Sequence, residues 1–198
     1  MRIFIFTGPS AVGKSTIAKR LAQGLHLPII GEREIIHQLA QQNGFNRGRE
    51  WLKAVGSAEP ILKAVNQETI NAIKNHGGIS LIIDGSYDPE LLKMIRAELP
   101  QAEIVIINVT ADKTLREQRM GGRLGQELEA AKEELIWIDG WKKRIGLQQI
   151  IEQADITINN DVSLGEATQQ IARELRLHLT KKETPQELRP FQPFKKIK

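Results

Sequence analysis

Short apolar runs recur along the chain and are separated by longer stretches with helical spacing. The runs are Ile3-Phe4-Ile5-Phe6, Leu27–Ile30, Ser80–Ile83, Glu103–Val109 and Ile156–Ile158. The fourth, read as IVIINV at its centre, has no polar alternation, so it is expected to be covered on both faces like a strand of a parallel sheet. Between the runs, apolar residues three and four apart predict helices. Ile17, Leu21 and Leu25 mark one; Ile35, Ile36, Leu39 and Ala40 mark a second from Glu32 to Asn43, with Gly44 in the place of a C-cap. A short helix is expected within Phe45–Gly56. A longer one opens at Pro60 and carries Ile61, Val65, Ile70 and Ile73, and another runs from Pro89 to Leu99. Further helices are expected over Ala111–Met120, where Gly121-Gly122 should interrupt, and over Glu127–Ile138, Ile145–Gln153 and Leu164–Leu179. Five strands alternating with helices predict an α/β fold, a three-layer α/β/α sandwich with a five-stranded parallel sheet and right-handed crossovers. In such a sheet ligands gather beyond the carboxyl ends of the strands.

Composition narrows this picture. At 198 residues, 40% of them apolar, the chain supports one core, expected over residues 1–179. No cysteine is present, and no apolar stretch approaches the roughly 20 residues of a membrane span, so a cytoplasmic protein with no membrane partner is expected. The net charge of +4 is local: between Thr180 and Lys198 six basic residues face two acidic ones, and the remainder is neutral. Three prolines and little apolar periodicity make 180–198 a basic, flexible tail, read as a solvated extension in preference to an arm for nucleic acid. Oligomeric state is not legible.

The strongest chemical signal is Gly8–Ser15, GPSAVGKS, with Thr16 behind it. It follows the first apolar run and opens the first helix, the order that a GxxxxGK[ST] phosphate loop requires. Gly8 and Gly13 let the backbone curl so that amides, including those of Ala11 and Val12, face one anionic group, and the helix dipole adds to them. Lys14 supplies a charge for the β- and γ-phosphates of ATP, and the Ser15 hydroxyl a ligand for Mg²⁺. Asp84, closing the third run 70 residues after Lys14, is the expected second Mg²⁺ ligand; the competing reading is a turn aspartate before Gly85. Asp88 reads as an N-cap for the helix that begins at Pro89.

Arg116, Arg119 and Arg123 form a second group. Like charges at helical spacing oppose one another unless an anion lies between them, so the three are read as a clamp on polyphosphate. Gly121, Gly122 and Gly125 make a hinge for a lid over about 119–138. A third group, Arg33, Glu34, His37, Arg47 and Arg49, falls in the segment 32–76, where an acceptor would rest. Trp51, Trp137 and Trp141 are read as packing residues, and Lys142–Arg144 as a solvated helix end.

With these motifs in hand the chain resembles the P-loop nucleotide kinases, most of all the nucleoside monophosphate kinases of adenylate and cytidylate type, and also the dephospho-CoA kinases. IHQLAQQNG (Ile36–Gly44) is similar to the acceptor-helix motif of cytidylate-type enzymes. IIDGSYDPE (Ile82–Glu90) is similar to the DG motif of adenylate kinases, and ADITINND (Ala154–Asp161) to the last strand, beyond which those enzymes hold the adenine ring. The resemblance implies a P-loop NTPase fold of the nucleoside monophosphate kinase type. It also implies that Lys14, Arg119 and Arg123 bind the transferring phosphates, that Ser15 and Asp84 manage Mg²⁺, and that Asn160 lies on the nucleotide side. Three departures stand out: His37 replaces an acceptor arginine, Ser86-Tyr87-Asp88 replaces the arginine after the DG motif, and Gly31-Glu32-Arg33 replaces the paired aspartates of a dephospho-CoA kinase. The expected activity is ATP-dependent phosphoryl transfer, with Mg²⁺, to a small nucleotide-like acceptor. The alternatives are a dephospho-CoA kinase-like enzyme, an ATPase switch, or a kinase of RNA or DNA ends that uses the basic tail.

Overall fold

The computed structural model describes residues 1–125 and 127–182. The elements, in chain order, are β1 (Arg2–Thr7), α1 (Lys14–Leu25), β2 (Ile29–Gly31), α2 (Glu32–Gln42), α3 (Gly48–Val55), α4 (Glu59–Asn75), β3 (Leu81–Asp84), α5 (Pro89–Glu98), β4 (Glu103–Thr110), α6 (Lys113–Leu124), α7 (Leu128–Ile145), α8 (Leu147–Ile151), β5 (Ile156–Asn159) and α9 (Leu164–Lys182). The five strands form one parallel sheet in the order β2-β3-β1-β4-β5. Register places Phe6 beside Asp84 on one side and beside Ile107 on the other, so the loops after β1, β3 and β4 leave the same edge.

Alternation along the buried strands sorts side chains into two cores, because successive residues point to opposite faces. Phe4, Phe6, Ile82, Val105, Ile107 and Ile158 pack under α1 and α9, against Ile17, Leu21 and Ile171. Ile3, Ile5, Leu81, Ile83 and Ile106 face the other way, onto α4, α5 and α8, meeting Ile70, Ile73, Leu91, Ile95 and Ile150. Two smaller clusters lie off the sheet. Ala40, Trp51, Ile61 and Val65 join α2, α3 and α4 into a separate lobe. Met120, Ala131 and Leu135 join α6 to α7, with Ala11 of the first loop against them.

Three expectations need correction. Gly121-Gly122 does not interrupt α6, which runs on to Leu124 and stops at Gly125, a left-handed C-cap with φ 61°. A helix accepts two glycines at a cost of roughly 1 kcal/mol each when its other residues hold it, and here Met120 is anchored against α7. Helix α7 does not end at Ile138 but continues through Gly140 to Ile145. Lys142 is consequently no solvated helix end: it is 6% exposed and points inward. Asp88 is an N-cap as expected, accepting from the Glu90 amide at 3.0 Å while Asn66 donates to its other oxygen at 2.7 Å. Residues 183–198, most of the expected basic tail, lie outside the described residues.

Candidate functional site

The loop between β1 and α1 sits at the carboxyl edge of the sheet, where the connection must turn from a strand into a helix that packs back across it. That turn puts Gly8 at φ 126° and Gly13 at φ 91°. Both positions are also crowded: a Cβ on Gly8 would lie 2.3 Å from the Val109 carbonyl oxygen, and one on Gly13 would lie 2.3 Å from Asn160 Nδ2. Neither conformation nor space admits another residue. Helix α1 starts at Lys14 directly after Gly13, with no side chain capping its first amides. Those donors face the concave side of the loop, which makes an anion site of a helix N-terminus.

Side chains from the far end of the chain hold the loop in this shape. Arg116 donates from Nε to the Ser10 carbonyl at 2.8 Å and is paired to Asp139, which accepts the Ser10 amide at 2.8 Å. One ion pair thus grips both polar groups of Ser10. The Val12 carbonyl is gripped in the same way, by Asn160 Nδ2 at 2.7 Å and Arg119 Nη1 at 3.3 Å, while Arg119 Nη2 donates to the Asn160 carbonyl at 2.9 Å. Arg116 is therefore no member of a free polyphosphate clamp; Asp139 neutralises it. Arg119 and Asn160 stand on the outer wall of the loop, and Arg123 is exposed at the end of α6.

Inside the loop, Lys14 is 7% exposed and its ammonium donates to the carbonyls of Gly8 at 2.9 Å and Pro9 at 2.5 Å. Burial lowers its pKa to about 8, against the pull of Asp84 and Asp139. Ser15 and Thr16 are exposed. Asp84 closes β3 next to Phe6, and its Oδ1 is buried without a hydrogen-bond partner. Burial pushes this carboxyl above its usual range, while the Ser15 hydroxyl and Lys14 favour its ionised form. One orphaned carboxylate oxygen beside an exposed hydroxyl fits a Mg²⁺ ion carried in by phosphates, since that ion takes one or two protein ligands and keeps waters. Among the described residues no cluster of three or more His, Cys, Asp or Glu could hold a metal by itself.

A second buried polar group adjoins the first, on the side of α2. Glu32, the first residue of that helix, is 5% exposed, and its Oε1 lacks a partner, as does the fully buried Ser86 Oγ. Burial pushes the Glu32 carboxyl up to about 8; the Ser86 hydroxyl and Lys142 work against the rise, and Asp88 and Asp84 add to it. Tyr87 follows Ser86, with its hydroxyl pushed up by burial and by Glu32 and Asp84. Its ring lies 4.1 Å from Lys142 Nζ and 5.8 Å from Lys14 Nζ.

The structure gathers part of the expected acceptor set here. Arg33 lies within electrostatic reach of Arg123 and Tyr87, and Glu34 folds back over Gly31 within reach of Asp84. His37 is exposed and contacts Gln41 one turn on, and Arg47 stands exposed at the N-cap of α3. Neither is tied to the phosphate loop by a hydrogen bond or ion pair among the described residues. Arg49 reaches from α3 to α7, where it pairs with Glu134 and lies 5.3 Å from the Trp137 ring; Lys53 lies 5.1 Å from that same ring. Reading the sequence missed Glu32, Ser86, Tyr87, Asp139 and Lys142. For Lys142 a signal existed: Ala131, Leu135 and Lys142 share the inward face of α7 at helical spacing.

Comparison with known proteins agrees with this geometry. The AAA domain family matches residues 7–136, from the last residue of β1 to the middle of α7. The chain belongs to the AAA domain family. Within that family setting it is similar to a UPF0200 protein of Methanoregula boonei, with 26% identity over 174 residues, 86% of this chain and 94% of that protein. Its fold is that of the P-loop kinases. A shikimate kinase from Aquifex aeolicus superposes with a TM-score of 0.60 at 16% identity, covering 90% of this chain and 98% of that one. A gluconokinase from Sinorhizobium meliloti superposes with a TM-score of 0.52 at 14% identity, covering 91% and 97%.

Two outcomes test the site. Asp139→Ala leaves Arg116 unpaired and frees the Ser10 amide, so the loop loses its shape; Mg-ATP affinity should fall about tenfold by calorimetry, with far-UV circular dichroism unchanged. Burial keeps Glu32 protonated in the folded chain up to about pH 8, whereas an unfolded glutamate ionises near 4.5. The folded state therefore binds the extra proton, and stability falls as pH rises between those values, by up to about 1.4 kcal/mol per unit. Glu32→Gln, measured by urea unfolding from pH 5 to 8, should flatten that decline.

Proposed function

We propose that this protein is an ATP-dependent phosphotransferase that passes the γ-phosphoryl group of Mg-ATP to a small acceptor. The observation that carries the reading is a buried lysine, Lys14, within electrostatic reach of Asp84, whose Oδ1 is orphaned, at a phosphate loop that is already shaped. In this account the amides of Gly8–Thr16 hold the β- and γ-phosphates, with Lys14 leaving its loop carbonyls for their oxygens. Ser15 and Asp84 would hold Mg²⁺, which would supply positive charge to the transferring phosphates. Arg119 and Asn160 fix the loop and flank the nucleotide, and Arg123 approaches the transferring group from the end of α6. Chemistry comes from positioning and charge, with no covalent intermediate on the protein.

On the acceptor side the reading is a compound that presents an oxygen to Glu32 and Ser86. Their unpartnered atoms suit a hydroxyl, which can donate to one and accept from the other. With its proton lost to solvent, Glu32 would hydrogen-bond the attacking hydroxyl beside Arg33 and Glu34. The names of the structural relatives, shikimate kinase and gluconokinase, support a small hydroxyl-bearing acceptor. A nucleoside monophosphate is the second candidate, supported by the sequence motifs of α2 and β3.

The test is to incubate the protein with Mg²⁺ and γ-labelled ATP against nucleoside monophosphates, dephospho-CoA, small hydroxy acids and oligonucleotide ends. Label on an acceptor is the expected result; label released only as inorganic phosphate would contradict transfer. Lys14→Ala should cut turnover by more than about 100-fold while the thermal unfolding midpoint holds, because it removes charge from the transferring group. Turnover that survives this change rejects the assignment.

A further inference from the structure

We propose, building on the kinase reading, that Lys142 grips the anionic group of the acceptor, a phosphate monoester or a carboxylate, and that the Tyr87 ring is the platform that aims it. The inference starts from a buried amine that has no ion pair or hydrogen bond among the described residues. Lys142 is 6% exposed, and its ammonium faces the Tyr87 ring at 4.1 Å without an ion pair or hydrogen bond among the described residues. A buried ammonium against a ring, with no anion at ion-pair distance among the described residues, is costly, and methionine or leucine would fill the same space without that cost.

Its surroundings say where the missing anion belongs. Lys142 feels Lys14, Arg116 and Arg123 as like charges and Asp139 as an opposite one, and burial holds its amine well below the ordinary lysine range. Glu32 in turn feels Lys142 as a favourable charge. The ammonium therefore stands between the phosphate loop and the Glu32–Ser86 group. Of the neighbouring cations, Arg116 is neutralised by Asp139 and Lys14 is held on the phosphate-loop carbonyls of Gly8 and Pro9. Lys142 is left over, and it lies closer to the Tyr87 ring than Lys14 does, at 4.1 Å against 5.8 Å. One ring thus adjoins both the lysine of the phosphate loop and the lysine proposed to meet the acceptor. An arriving anion would supply the counter-charge, and a charge-assisted bond formed in so dry a place is a strong one.

Tyr87 is the chain's only tyrosine, so 3-fluorotyrosine labelling gives one fluorine resonance, located at the proposed site. The full chain would be saturated with Mg-AMPPNP, which fills the phosphate loop, and titrated separately with inorganic phosphate and with lactate. A saturable shift of that resonance is expected, and the arm with the higher affinity distinguishes a phosphate-bearing from a carboxylate-bearing acceptor. Lys142→Met should weaken that affinity at least about tenfold while Mg-AMPPNP affinity stays within about twofold, and Lys142→Arg should restore it. A merely structural stack would lower the unfolding temperature of the Met variant and leave anion affinity alone; if that variant does not fold, Lys142→Gln carries the comparison. No saturable shift with either anion, or equal titration of wild type and variant, overturns the proposal while leaving the kinase reading intact. Failure of Mg-AMPPNP to bind would instead remove the reading on which the proposal rests.

Discussion

Everything in this molecule is arranged around main-chain groups that are forbidden to relax. A loop of eight residues that offers its amides to a polyanion pays an electrostatic penalty when empty, because like-oriented dipoles crowd together. The chain meets that penalty from outside the loop. Arg116 and Asp139 hold the two polar groups of Ser10, and Arg119 and Asn160 share the Val12 carbonyl. All four come from segments more than 90 residues downstream, so the loop can take its binding shape only when α6, α7 and the end of β5 have docked. Folding and the creation of the anion site are in this sense one event.

The same design sets the electrostatics of the neighbourhood. Lys14 and Lys142 are both buried and both disfavour their charged forms, while Asp84 and Glu32 are buried and disfavour theirs. Separation of charge is held in check by desolvation and released when ligands bring opposite charge. Orphaned atoms, Asp84 Oδ1, Glu32 Oε1 and Ser86 Oγ, are buried near the phosphate loop. Unsatisfied buried polar atoms are costly in a core, and their concentration beside one loop marks a place built for something that arrives later.

The sheet and the shape of the loop after β1 could be read from the sequence because their signals are local. The four-residue apolar run Ile3–Phe6 ahead of GPSAVGKS leaves few alternatives, and parallel strands announce themselves through missing alternation at Ile104–Val109. Where expectation went astray, tertiary contacts overrode local rules. Gly121-Gly122 reads as a break, yet packing of Met120 against Ala131 and Leu135 carries the helix through. Lys142-Lys143-Arg144 reads as a solvated cluster, yet only the last two point outward. Asp139 was invisible because its partners, Ser10 and Arg116, are 129 and 23 residues away. The buried polar group around Glu32 was hardest, since a single buried glutamate carries no periodic or motif signature.

The central claim is that a shaped ring of amides between β1 and α1 receives the nucleotide. Hydrogen exchange of the full chain, followed by mass spectrometry with and without Mg-ADP, tests it most directly. Slowed exchange concentrated in the peptide spanning residues 8–16, with smaller protection in α6 and α7, is the predicted result. Protection that falls elsewhere while the peptide 8–16 exchanges as fast as before would contradict it.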